Sequence, residues 1–176
     1  MRKLLLVILI ACSGPVAKAE PFAALGTSLA FEQSPDGRTI ETRQPFAVRG
    51  GYRFRMLDVY LDYQTYSASQ GTELVRVGRT HHEWVMSARR IFFKKWKARP
   101  YGALGLGVQH DVVETTLGEE EARDVGLAQA VLAASLGVQV KVWKSFDLQF
   151  ESRLATSQNY SPNPLLSLIF LGGWSF

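Results

Sequence analysis

Three histidines and two carboxylates hold the densest acid–base chemistry in this chain. His81 and His82 run directly into Glu83, and His110 runs into Asp111. If adjacent strands bring His82 and His110 beside Asp111 and Glu83, an imidazole gains a carboxylate to orient it, as a general base requires. No serine stands in a motif with these histidines, so no nucleophile is identified, and interfacial polar residues are the plainer reading. Metal binding is not expected, because neighbouring residues of a strand point to opposite faces and a lone Cys12 completes no zinc set. No cofactor is expected.

A second set of polar residues is defined by spacing. Arg49, Arg53, Asp58, Asp62, Glu83, Arg89, Asp147, Gln149, Glu151 and Arg153 fall at alternate positions of segments whose other positions are apolar. In residues 145–154, Phe146, Leu148, Phe150 and Leu154 share one parity, while Asp147, Gln149, Glu151 and Arg153 share the other. Residues 57–64 set Leu57, Val59, Leu61 and Tyr63 against Asp58, Tyr60, Asp62 and Gln64, and residues 46–54 set Phe46, Val48, Tyr52 and Phe54 against Arg49 and Arg53. Period two of this kind is a strand signature.

Eight strands follow: 22–32, 46–54, 57–64, 80–91, 100–113, 125–141, 145–154 and 166–176. The alanine-rich 125–141 also admits a helix by propensity. Against that, Gln129, Ser135, Gln139 and Lys141 share a parity opposed to Leu132, Leu136, Val138 and Val140, with Leu127 the exception. Connections alternate strictly. Long loops at 33–44, 68–78, 117–124 and 158–163 follow the odd strands, and short turns near Arg55, at 93–97 and at 142–144 follow the even ones. An up-and-down meander gathers the long loops at one end and the short turns and termini at the other.

Composition fits this plan. The 176 residues are 47% hydrophobic and 20% charged, with a formal net charge of +4; the mean hydropathy of −0.02 excludes a bundle of membrane helices but suits a wall apolar on one face only. Met1-Arg2-Lys3, the apolar run Leu4 to Ile10 and Ala17-Lys18-Ala19 form a cleavable export leader over residues 1–19. A second reading takes Leu9-Ile10-Ala11-Cys12 as a lipidation site, with Cys12 as the modified residue. Removing the leader leaves residues 20–176 as one domain with 17 basic and 16 acidic residues, so the basic surplus does not point to nucleic acid.

The last nine residues, Leu168 to Phe176, end in an aromatic with apolar residues at alternate positions, among them Phe170 and Trp174. With the Gly-rich run Pro100 to Gly107, the leader and the loop alternation, this resembles the small eight-stranded outer-membrane barrels of Gram-negative bacteria, of the OmpA transmembrane domain and OmpX type. That resemblance implies an all-β fold, a closed eight-stranded antiparallel up-and-down transmembrane barrel. It also implies that Phe170, Trp174 and Phe176 form the signal read by the barrel-assembly machinery.

Function is then read from the barrel's surfaces. The alternating charges face a lumen that eight strands leave only wide enough for side chains to fill, so ion-paired plugging is expected over a gated ion path. Aromatics form two girdles: Phe54, Phe92, Phe93, Trp96, Tyr101, Trp143, Phe146, Trp174 and Phe176 at the short-turn end, and Tyr63, Tyr66, Trp84 and Tyr160 toward the loops. Arg38, Arg43, Arg76 and Arg79 make the first two loops basic, and Glu119, Glu120, Glu121 and Asp124 make the third acidic. Lys94, Lys95, Lys97, Arg99, Lys141 and Lys144 would face periplasmic headgroups. The expected partners are outer-membrane lipids and lipopolysaccharide, and a monomer is expected. The role is structural or surface interaction. The alternatives are an outer-leaflet lipid A or phospholipid-modifying enzyme using His81, His82 and His110, and a soluble periplasmic lipocalin-like barrel with its apolar side inward.

Overall fold

The computed structural model describes residues 19–33, 40–71, 75–117, 120–157 and 165–176. The leader reading, apart from Ala19, and the positions Arg38, Glu119 and Tyr160 lie outside them. Among the described residues ten strands run in chain order: β1 (Glu20–Gln33), β2 (Ile40–Arg43), β3 (Phe46–Arg53), β4 (Asp58–Gly71), β5 (Val75–Ile91), β6 (Ala98–Leu117), β7 (Glu120–Val125), β8 (Gln129–Lys141), β9 (Phe146–Thr156) and β10 (Leu165–Ser175). Eight of them form a closed ring in the order β1-β3-β4-β5-β6-β8-β9-β10, each antiparallel to its neighbours. The ring shuts where β10 pairs with β1, from Phe22 opposite Ser175 to Phe31 opposite Leu166.

The two remaining strands extend the wall at the long-loop end. β2 continues β3 after a break at Gln44 and Pro45, where proline has no N–H for the ladder; its carbonyl still accepts from the Ser28 N–H at 3.0 Å. Past the break, β2 pairs with the end of β1. β7 stands in the same relation to β8, with residues 126–128 between them and the Gly126 N–H bonded to the Asp111 carbonyl at 2.8 Å.

The segment 125–141 is therefore strand and not helix from Gln129 on, with Leu127 in the break and 90% exposed. The long loops are shorter than the alternation predicts: β4 runs on to Gly71, β5 starts at Val75, and much of 117–124 is the strand β7. The reason is that apolar alternation marks only the part of a strand with an oily outer face. Backbone pairing carries the hairpins further with polar residues on both sides.

Burial follows parity along every stave. In β9, Asp147, Gln149, Glu151 and Arg153 are buried while Leu148, Phe150 and Leu154 are exposed. The lipocalin-like packing, with apolar residues inside, is the reverse of this arrangement. Large exposed apolar residues belt the exterior, including Leu61, Met86, Leu104, Leu106, Leu132 and Leu136. The interior combines the charged residues with small apolar clusters, such as Ala24, Ala47, Ile169 and Leu171. Interior glycines admit bulk: a Cβ on Gly137 would lie 2.5 Å from the ring of Tyr101.

Short turns close the other end. Phe54 N–H bonds to Leu57 C=O at 2.9 Å, and Trp143 N–H to Phe146 C=O at 3.1 Å. In the β5–β6 turn Phe93 adopts φ of 50°, a left-handed backbone unusual for an aromatic residue, and its ring stacks on Trp96 with centroids 4.6 Å apart.

Candidate functional site: the lumen network and the rim

Opposed charges inside a closed wall must find one another, since an isolated buried charge is costly. Arg49 on β3, 1% exposed, is the centre of the resulting network. It grips Asp62 on β4 with two nitrogens, Nε to Oδ1 at 2.6 Å and Nη2 to Oδ2 at 3.1 Å. Across the lumen it donates to Glu151 Oε2 at 2.8 Å and Gln149 Oε1 at 3.0 Å, both on β9. Glu151 Oε2 also accepts from the Tyr101 hydroxyl of β6 at 2.9 Å.

A second arginine repeats the pattern one layer away. Arg89 on β5 donates to Asp58 Oδ2 through Nε at 3.1 Å and Nη2 at 2.7 Å, and its Nη1 shares the Gln149 Oε1 at 2.8 Å. Gln149 Nε2 donates to Asp147, which also receives Gln139 of β8 at 2.5 Å and Arg53 of β3 at 3.4 Å. Arg53 reaches Ser175 of β10 at 2.9 Å. Tyr60 lies under Arg49, with the guanidinium carbon 4.3 Å from its ring centroid. Arg153 of β9 pairs separately with Glu83 of β5. One connected set of hydrogen bonds thus ties together β3, β4, β5, β6, β8, β9 and β10.

Tyr101, Tyr60 and Gln139 belong to this network but are absent from the charged lumen set that the sequence singles out. Tyr101 is instead expected in the short-turn girdle, which the structure corrects: it is 2% exposed and points inward. The signal was parity. Leu104, Leu106 and Val108 occupy the even, outward positions of β6, so Tyr101 shares the inward face with Gln109. Tyr66 is likewise drawn from the outer girdle into the mouth of the lumen, where its ring stacks on His81 at 4.9 Å. Phe54, Phe92, Phe93, Trp96, Trp143, Trp174 and Phe176 are exposed at the short-turn end.

The histidines do not form one site. His81 is buried inside the mouth, with Nδ1 donating to Asp111 Oδ1 at 2.8 Å; Arg79 holds the other oxygen at 2.5 Å, and Arg43 Nη1 donates to the Tyr66 hydroxyl at 2.6 Å. His82 and His110 do come together, with ring centroids 5.0 Å apart, but on the outer wall. Tyr63 extends that exterior stack, its hydroxyl 2.8 Å from His82 Nδ1 and its ring 4.2 Å from Trp84. Asp111 and Glu83 therefore lie across the sheet from the pair they were expected to serve, because a strand sends successive side chains to opposite faces.

Both clusters sit beyond the belt of exposed leucines, and their titration differs accordingly. Burial opposes ionisation of Asp111, but hydrogen bonds from His81 and Arg79 outweigh it and hold the carboxyl at about 2. Partial burial and the neighbouring His110 and His81 push the His82 imidazole below its ordinary value. Among the described residues no group of three or more metal-ligating side chains converges, and no helix is long and apolar enough to cross a membrane.

This architecture recurs in solved structures. Ail, the attachment invasion locus protein of Yersinia pestis, matches at a TM-score of 0.60 and 14% identity over 90% of this chain and 99% of its own. Neisserial surface protein A matches at 0.60 and 18% over 89% and 95%, and the outer membrane protein OprG from Pseudomonas aeruginosa at 0.55 and 13% over 91% and 97%. No protein-family model and no curated protein sequence matches the chain. The chain has the fold of the small eight-stranded outer-membrane β-barrels.

Replacing Arg49 by Met leaves Asp62 and Glu151 buried without their shared cation, which costs about 3–5 kcal/mol in urea unfolding from lipid vesicles. Adding Asp62→Leu and Glu151→Gln recovers most of that loss. At the rim, the folded-state carboxyl of Asp111 lies below the ordinary 3.8, so its stabilisation is present above about pH 4 and lost as pH falls toward 2. The gap in urea midpoint between the wild type and Asp111→Asn is expected to close over that window.

Proposed function

We propose that the protein is an integral outer-membrane barrel whose lumen is a structural plug and whose long-loop end acts in contact at the cell surface. The observation that carries this reading is the inversion of the wall: Arg49 and Arg89 are at most 1% exposed while Leu104 and Leu136 are above 70%. Water would favour the opposite arrangement, whereas a bilayer requires an apolar exterior and a sheet without edges. Trp96, Trp143 and Trp174 at the short-turn end, and Tyr63 and Trp84 toward the other, bound the belt as interfacial aromatics do.

In this reading the termini and short turns face the periplasm and the hairpins of β4–β5 and β6–β7 lie outside the cell. Export by residues 1–19 and insertion through the assembly machinery, with Phe170, Trp174 and Phe176 as the signal, complete the route. The plug is supported by the network that spans the lumen between β3 and β9 through Arg49. Surface interaction is supported by the extended rim, where Arg123 lies 3.7 Å from Glu114, Arg79 pairs with Asp111, and Arg76, Glu121 and Asp124 are exposed. The solved neighbours named for attachment and for the cell surface are of the same kind.

Cell fractionation with gel mobility before and after boiling tests the proposal. The full chain is expected in the outer-membrane fraction, migrating differently when unboiled. Recovery from the soluble periplasm would contradict it.

A further inference from the structure

The outer wall is not uniformly convex. Over β5, β6, β8 and β9, two adjoining hollows of about 730 and 660 Å³ share Ala88, Leu104, Ala134 and Leu154, each within the size range of ligand-holding pockets. The registers explain the shape: Ala88 faces Leu104, which faces Ala134, which faces Leu154, so small residues alternate with leucines in one exterior row. The next row toward the short turns is Arg90, Gly102, Leu136 and Ser152. The groove is therefore apolar along its length and reaches an exposed arginine at its lower end.

Arg90 is an outward-facing residue of β5, on the parity of Trp84, Met86 and Ala88. Immediately beyond it the β5–β6 turn exposes Lys94, Lys95 and Lys97. Among the described residues, the side-chain carboxylates at this end are Glu20, on the far side of the ring, and Asp58 and Asp147, which are buried in the lumen. The foot of the groove is thus a cationic field with no exterior counter-charge on its own wall. Nothing inside the barrel requires a charge there.

We propose that this groove binds one anionic phospholipid of the leaflet at the short-turn end. Its acyl chains lie over Ala88, Leu104, Ala134 and Leu154, and its phosphate is held by Arg90 in the field of Lys94, Lys95 and Lys97. The proposal rests on the barrel spanning a membrane. A second copy of this chain is the poorer occupant, since a symmetric pair across the groove would bring the two cationic turns together. Charge selects phosphatidylglycerol over a zwitterionic lipid of the same chains, because each cation near a lipid surface favours an anionic headgroup.

Native mass spectrometry of the refolded full chain in mild detergent tests this, with phosphatidylglycerol or phosphatidylcholine of matched acyl chains added. The wild type is expected to retain one phosphatidylglycerol at least about fivefold more than phosphatidylcholine. Arg90→Gln is expected to lose that preference while still binding lipid, and Ala134→Phe, which fills the groove, to lose retention of both. Equal retention of the two lipids by the wild type, a preference that survives Arg90→Gln, or a dimer as the species occupying the groove would overturn the proposal. The boiling-dependent gel shift is recorded on every sample, so a variant that fails to fold is recognised and Arg90→Gln, which changes no packed side chain, decides. A wild type with no gel shift speaks against the membrane barrel itself; a wild type with the shift but no lipid preference speaks against the lipid site alone.

Discussion

Ten residue pairings between β1 and β10, running from Phe22 and Ser175 to Phe31 and Leu166, are what the rest of the molecule depends on. They turn an open sheet into a wall whose backbone donors and acceptors are satisfied from within. An apolar exterior is possible only after that step, because an unpaired edge cannot be left where there is no water. Closure also commits the other face. Once the ring is shut, every residue of the inward parity shares one narrow interior with residues from the seven other staves.

The interior shows how such crowding is resolved. Three arginines and four carboxylates share space in one network through amides and tyrosines, with Arg153 and Glu83 paired beside it, so that Gln149 serves both Arg49 and Arg89 while its amide nitrogen holds Asp147. A group of this kind is coupled: removing one member strands its partners, and the cost falls on the whole plug. The proposed role follows from the coupling. In that proposal the lumen braced across its width serves the barrel as a beam, and the two exterior surfaces, the rim and the lipid-facing wall, are the places for contact.

The stave pattern was legible in the chain because the two environments differ so sharply. Residues 145–154 give the inward and outward faces of β9 without ambiguity, and the alternation of long and short connections gives the meander. Three things were hidden. Tyr101 and Tyr66 are aromatic enough for an interfacial girdle, and only their parity against Leu104 or Tyr63 betrays that they face inward. The strands beyond the belt, such as β7 and the upper parts of β4 and β5, carry polar residues on both sides, so no alternation marks them. The histidines were close in register, as His82 opposite His110 shows, but sequence proximity to Asp111 and Glu83 concealed that a sheet lies between them.

Reading the two faces of β9 in a bilayer is the most direct test of the account. Cys12 is the single cysteine of the sequence, so in a Cys12→Ala background single cysteines at positions 147–154 can each carry a nitroxide in lipid vesicles. Relaxation by oxygen, which concentrates in lipid, is predicted to peak at the even positions 148, 150, 152 and 154. The odd positions 147, 149, 151 and 153 are predicted to be shielded from oxygen and from a water-soluble relaxant alike. The opposite phase, with water-soluble relaxant reaching the odd positions and the even ones buried, would contradict the lipid-facing wall and the plugged lumen together.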